Sequence, residues 1–194
     1  MVAALGRLCA VIGLAALAAV GAGCAPVILG GGATAVVAAS EKRGLKGFAT
    51  DTAIQAQINN LWLQHSLDLY QRLSMRVDEG HVLLTGRAAD PQMRLDAVRL
   101  AWQADGVKEV INEIQVDNES SLVDSARDTW INTQLRTRIT FDAAISSQNY
   151  SIDTVNGVVY LMGWAKSKDE LDLVVGHARA IPNVQRVVTY VRQS

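Results

Sequence analysis

The chain has 194 residues, of which 49% are hydrophobic, 19% charged and 5% aromatic, and its formal net charge is −1. That balance excludes a disordered tail and a polytopic membrane protein, and it removes bulk electrostatics as a route to nucleic acid. Its two cysteines, Cys9 and Cys24, both lie in the apolar N-terminal stretch, so the rest of the chain has no thiol for a disulfide, a zinc site or a nucleophile.

Arg7 precedes a run over residues 8–20 that is apolar apart from Gly13, followed by Gly21-Ala22-Gly23-Cys24. A basic start, an apolar core too short to span a bilayer comfortably and small residues before a cut site predict a secretory signal over residues 1–23. Ending on Cys24, the segment resembles the lipobox of bacterial lipoproteins, which implies cleavage before Cys24 and its lipidation. Gly21 stands where a lipobox usually has Leu, leaving open a plain signal cut nearby or an uncleaved anchor extended through residues 25–29. Ala25 takes the place of an inner-membrane retention Asp, so the resemblance implies outer-membrane sorting. More than one acyl chain makes such an anchor stable, at about 0.8 kcal/mol per buried methylene. Residues 24–50, rich in Gly and Ala and without an amphipathic period, read as a lipidated flexible tether.

From residue 51 the chain repeats itself. Asp51-Thr52-Ala53-Ile54 recurs as Asp128-Thr129-Trp130-Ile131, an offset of 77 positions. The same offset pairs Gly80 with Gly157, Gly86 with Gly163, Val107 with Val184 and Val110 with Val187, without a gap. Two long units in one register indicate a duplicated domain rather than a solenoid. Each copy reads as helix, strand, strand, helix, strand. Ile54, Ile58 and Leu61 recur at helical spacing behind a cap at Asp51 or Thr52, as Ile131, Leu135 and Ile139 do behind Asp128. Short β-rich runs flank Asp78-Glu79-Gly80 and Asn156-Gly157 as hairpins. Gly86 and Gly163 are expected to end the second strands, where a turn needing positive φ or a close backbone approach requires glycine. Second helices are predicted over residues 91–104 and 168–181, and closing strands over 107–116 and 184–191. The expected fold is α+β, two tandem αββαβ modules at 51–117 and 124–194 joined by a linker at 118–123. In each, two helices cover one face of a three-stranded mixed sheet.

The phrases Gly80-His81-Val82-Leu83-Leu84-Thr85-Gly86 and Gly157-Val158-Val159-Tyr160-Leu161-Met162-Gly163, with Val-Lys-Glu-Val at Val107 and Val-Gln-Arg-Val at Val184, resemble the BON domain. With the signal and lipobox, the chain resembles dual BON-domain outer-membrane lipoproteins. The resemblance implies a non-enzymatic protein at the periplasmic side of the outer membrane, binding anionic phospholipid chiefly through the second module.

Duplication supplies an internal control for a binding site. Trp130 has Ala53 as its counterpart, and at about 100° per residue it points roughly 140° away from the Ile131, Leu135, Ile139 stripe. It is expected on an exposed face with Arg127, Gln134 and Arg138. Residues 51–116 hold six Lys or Arg against nine Asp or Glu, whereas 124–194 hold eight against seven. An exposed indole beside arginines suits an anionic phospholipid surface. Alternatively, Trp130 packs against the first module or the linker. A different class of function, an adaptor for an envelope protein partner, also stays open. Trp62 fits the first helix's apolar stripe, whereas Trp102 and Trp164 are candidates for a contact between modules. His65, His81 and His177 lack metal spacing, and Asp169, Glu170 and Asp172 read as an acidic first helical turn. No metal, cofactor or nucleic-acid partner is expected.

Overall fold

The computed structural model describes residues 44–117 and 122–193; Cys24, the expected signal and residues 24–43 of the expected tether lie outside them. The first module comprises α1 (Gly44–His65), α2 (Leu67–Arg72), β1 (Leu73–Asp78), β2 (His81–Ala88), α3 (Pro91–Ala101), β3 (Glu109–Asn112) and β4 (Gln115–Val116). The second comprises α4 (Leu122–Phe141), one 3-10 turn (Ser147–Asn149), β5 (Tyr150–Val155), β6 (Val158–Ala165), α5 (Lys168–Arg179) and β7 (Arg186–Gln193). In both sheets the hairpin is antiparallel and the closing strand runs parallel to the central one, so each module is the mixed αββαβ unit its sequence predicts.

Side chains alternate across the central strands, and that alternation builds three apolar layers. Val82, Leu84 and Ala88 of β2 pack with Ile54, Ile58 and Trp62 of α1 and Ala97, Leu100 and Ala101 of α3. Val159, Leu161 and Ala165 of β6 pack in the same way with Ile131, Leu135 and Ile139 of α4 and Val174 and Ala178 of α5. The intervening residues point the other way: Leu83 joins Val155, Val158, Tyr160 and Met162, flanked by Ile111, Val188 and Tyr190. The sheets therefore face each other, with the helices on the two outer sides. Strands covered on both faces read as nearly continuous apolar runs, which is why β2 and β6 are buried along almost their whole length.

Several details differ from the sequence expectation. Helical backbone begins at Gly44 and at Leu122, inside the segments read as tether and linker, because extending a nucleated helix adds a hydrogen bond for each residue fixed. Asp51 and Asp128 consequently lie within helices and are not caps. Buried, they clamp the hairpins: Asp51 accepts from the amides of Glu79 and Gly80 at 2.9 and 3.0 Å, and Asp128 from those of Asn156 and Gly157 at 2.8 and 2.9 Å. Helix α2, capped by the Ser66 hydroxyl, was not anticipated. The closing strand of module 1 is broken, because the Ile114 amide turns to the side chain of Asn112 and Ile114 drops into the core. β4 then pairs β2 separately as a fourth strand.

Gly80 and Gly157 occupy the hairpin turns as expected from their sequence context, with φ of 83° and 72°. Gly86 and Gly163 instead lie within β2 and β6, opposite Leu73 and Tyr150. Their φ values are 111° and 129°, and a Cβ at Gly163 would stand 1.9 Å from the Asn149 carbonyl oxygen. Positive φ and close approach by the incoming chain do require glycine there, as expected, but within the strands rather than at their ends.

Candidate functional site

Helix α4 buries one side and leaves the other open. Ile131, Leu135 and Ile139 are fully buried in the module core. On the opposite side, about 100° per residue puts Val123, Trp130, Thr137 and Phe141 within roughly 20° of a single line. Val123 is 65% exposed, Trp130 43% and Phe141 85%, and Trp130 belongs to none of the three apolar clusters.

The threonines of α4 bond back to their own helix. Thr129, Thr133, Thr137 and Thr140 each donate their hydroxyl to the carbonyl four residues earlier, at 2.7–2.9 Å, which leaves the γ-methyl as the outward group. Arg136 is drawn off the face, donating to the carbonyls of Ser147 and Tyr150 at 3.0 and 2.9 Å; burial lowers its guanidinium pKa from the ordinary value. The matching positions in α1 are Lys46, Ala53, Asn60 and Gln64. The line of large apolar groups on α4 thus has no counterpart at Ala53, Asn60 and Gln64 of α1.

Arg127, Gln134 and Arg138 border this stripe to different degrees. Arg127 is exposed and pairs with Asp124 at 2.8 Å. Gln134 and Arg138 are half-buried, and Arg138 donates to the His177 carbonyl of α5 at 3.4 Å. The cause is angular: Arg138 sits roughly 80° from Trp130, close to the buried stripe. At the helix end His177 binds Asp142 at 2.8 Å, and that hydrogen bond holds the Asp142 carboxyl below its ordinary 3.8.

Sequence reasoning missed Phe141 and Val123. The signal was available, since the offset that singled out Trp130 against Ala53 also sets Phe141 against Gln64 and Val123 against Lys46. Of the other tryptophans, Trp62 lies in the core and donates to the Ala97 carbonyl at 3.2 Å. Trp164 lies at the seam between the modules, under the Arg192 guanidinium at 4.4 Å. Trp102 is 51% exposed.

Beside the same seam, a polar cleft of about 440 Å³ is lined by Arg72, Arg87, Asp128 and Asp153 among others. Its buried charges are already engaged: Arg87 with Asp128 at 2.6 Å and Asp153 with Thr85. Among the described residues no group of three His, Cys, Asp or Glu side chains is placed to hold a metal. No described helix is long and apolar enough to cross a membrane.

The model of the BON domain matches residues 50–118 and 127–193. The chain belongs to the BON family. Its relatives include a protein of Anaplasma centrale from the gshII 5′ region, 47% identical over 73% of this chain and 93% of its own length. The outer membrane lipoprotein DolP of Haemophilus influenzae is 25% identical, covering 86% of each chain. Osmotically-inducible protein Y of Escherichia coli is 26% identical over 72% of this chain and 71% of its own. Within this pair of BON modules, the clamped hairpin is common to both copies, and the line of Val123, Trp130 and Phe141 is particular to α4.

Proposed function

We propose that this protein is a lipid-anchored component of the cell envelope, held to the outer membrane through Cys24 and facing the periplasm. It does no chemistry, and it binds anionic phospholipid surfaces through the outer face of α4. The observation that carries this reading is the exposed line of Val123, Trp130 and Phe141, with the Thr137 hydroxyl bonded back to its own helix, at positions where the twin helix carries no large apolar residue. Such a face suits the bilayer interface, where an indole sits at headgroup level and aliphatic and phenyl groups enter the acyl boundary. Arg127 and Arg138 add attraction of about 1 kcal/mol each near an anionic surface. Because Arg127 is shared with Asp124, insertion of the apolar groups carries most of the binding.

The similarity to DolP, named as an outer membrane lipoprotein, supports the location. A second reading, an adaptor for an envelope protein, is favoured by Leu95 of α3 and Trp102 at its C-cap, which are 60% and 51% exposed where module 2 carries Asp172 and Arg179.

Flotation of the unlipidated Cys24→Ser protein with vesicles separates these readings. Parent protein is expected to float with phosphatidylglycerol-containing vesicles, and the Trp130→Ala, Arg138→Glu variant to stay behind. Equal flotation of both removes the assignment of the surface, and failure of the parent to float removes phospholipid binding.

A further inference from the structure

The seam between the two modules is close to its own image under the 77-residue offset. Arg76 and Asp153, which correspond to each other in the repeat, pair at 3.6 Å. Glu113 and Tyr190 also correspond, and the Tyr190 hydroxyl donates to Glu113. The apolar layer between the sheets contains Leu83 and Ile111 together with their counterparts Tyr160 and Val188. Gln115 and its counterpart Arg192 make related contacts away from these positions. Gln115 donates to the Val155 carbonyl at 3.3 Å and accepts from the Asn156 side chain at 2.7 Å. Its counterpart Arg192 reaches Asp78 and, at 3.2 Å, Glu79, the counterparts of Val155 and Asn156. When residue i touches j and the counterpart of i touches the counterpart of j, the interface has the form of a two-fold dimer made within one chain.

A two-fold seam brings certain positions against their own equivalents, and there the side chains have diverged in a complementary way. Two copies of module 1 docked through this face would set Arg76 against Arg76 and Glu113 against Glu113. Two copies of module 2 would set Asp153 against Asp153. Like charges so placed are repelled at a surface where Asp153 is almost fully buried, and such juxtaposition discriminates strongly between partners.

We propose that the inward sheet face of each module is a docking surface for the other kind of module only, with Arg76–Asp153 and Glu113–Tyr190 as the pairs that set this specificity. The partner each face fits is therefore an unlike module, and chains gathered on one membrane cannot associate through like modules. The seam also fixes α1 and α3 on one outer side and α4 and α5 on the other, so the face carrying Trp130 and Phe141 always points away from module 1. This inference does not depend on what that face binds.

The test uses the chain without its signal segment, carrying Arg76→Asp, Asp153→Arg, or both. Each single exchange makes the two facing charges alike and is expected to lower Tm by roughly 5–10 °C, whereas the double exchange recovers most of that loss. Recovery is incomplete because Thr85 also loses its acceptor, and Thr85→Val measures that part separately. The specificity itself is read by refolding the two single variants together. One then has acidic groups on both faces and the other basic groups on both, so they are expected to form a one-to-one dimer by exchanging modules, seen by native mass spectrometry. Single variants as stable as the parent, a double variant no more stable than the singles, or mixed chains that remain monomeric would overturn the proposal. If a single variant fails to fold, a folded double variant supports it and an unfolded one overturns it.

Discussion

Phe141→Ala is expected to weaken binding to anionic vesicles more than Trp130→Ala, although tryptophan is the larger residue. A Phe or Trp side chain offers roughly 150–250 Å². Phe141 is 85% exposed and Trp130 43%, which leaves roughly 130–210 Å² and 65–110 Å² respectively to be removed from water. At about 25 cal/mol per Å², with about half of that area entering the acyl boundary of a helix lying in the interface, the contributions are about 1.6–2.6 and 0.8–1.4 kcal/mol. These correspond to a loss of affinity of roughly fifteen- to eightyfold for Phe141→Ala and roughly four- to tenfold for Trp130→Ala. Vesicle titration followed by sedimentation measures both, and Gln64→Ala, at the matching place in module 1, serves as the unaffected control. If Trp130→Ala has the larger effect, or if Gln64→Ala matches Phe141→Ala, the argument from exposure fails.

Removing Arg87 leaves the buried Asp128 without its ion pair, so Arg87→Met is expected to cost about 3–5 kcal/mol in urea unfolding; a loss within experimental error would count against the seam as described. Asp51→Ala strands two hairpin amides and is expected to cost at least about 2 kcal/mol. Asp128→Ala should cost measurably more, because it also strands Arg87. Gly163→Ala meets both the positive φ and the Asn149 carbonyl, so a loss of about 3 kcal/mol or more is expected, and a neutral result would require a different path for the preceding turn. The pH dependence follows from the His177 hydrogen bond, which depresses the Asp142 pKa in the folded state. The stability it contributes is present above the unfolded carboxylate value and is lost as pH falls through the lower folded one. NMR titration should place the Asp142 midpoint below 3.8 in the parent and raise it in His177→Ala; an unchanged midpoint would dissociate the two groups.

Much of the fold was legible because two periodicities agreed in two copies. Ile54, Ile58 and Ile131, Leu135, Ile139 mark the helix faces that enter the cores, and Asn156-Gly157 marks a turn whose two residues both take positive φ. A contact between the modules was expected, but that the second sheet face makes it was not legible, because Val158 to Met162 is apolar at every position and a continuous run does not say what covers each side. Asp51 and Asp128 were misread as caps for a local reason: helical backbone starts seven residues before Asp51 and six before Asp128, so both fall inside their helices. At the candidate site, the exposure of Trp130 followed from its angle to the core stripe. Phe141 was overlooked because the stripe that defines α4 ends at Ile139, and the partial burial of Arg138 depends on α5, which its own helix cannot reveal.

The central claim is that α4 of the second module, and not its twin, touches the membrane. Paramagnetic broadening of backbone NMR signals by nitroxide-labelled acyl chains in anionic nanodiscs reads this directly, using the Cys24→Ser protein. Broadening concentrated at Val123, Trp130, Thr137 and Phe141, with α1 untouched, is the predicted result. Broadening shared equally by α1 and α4, or absent from α4, would contradict it.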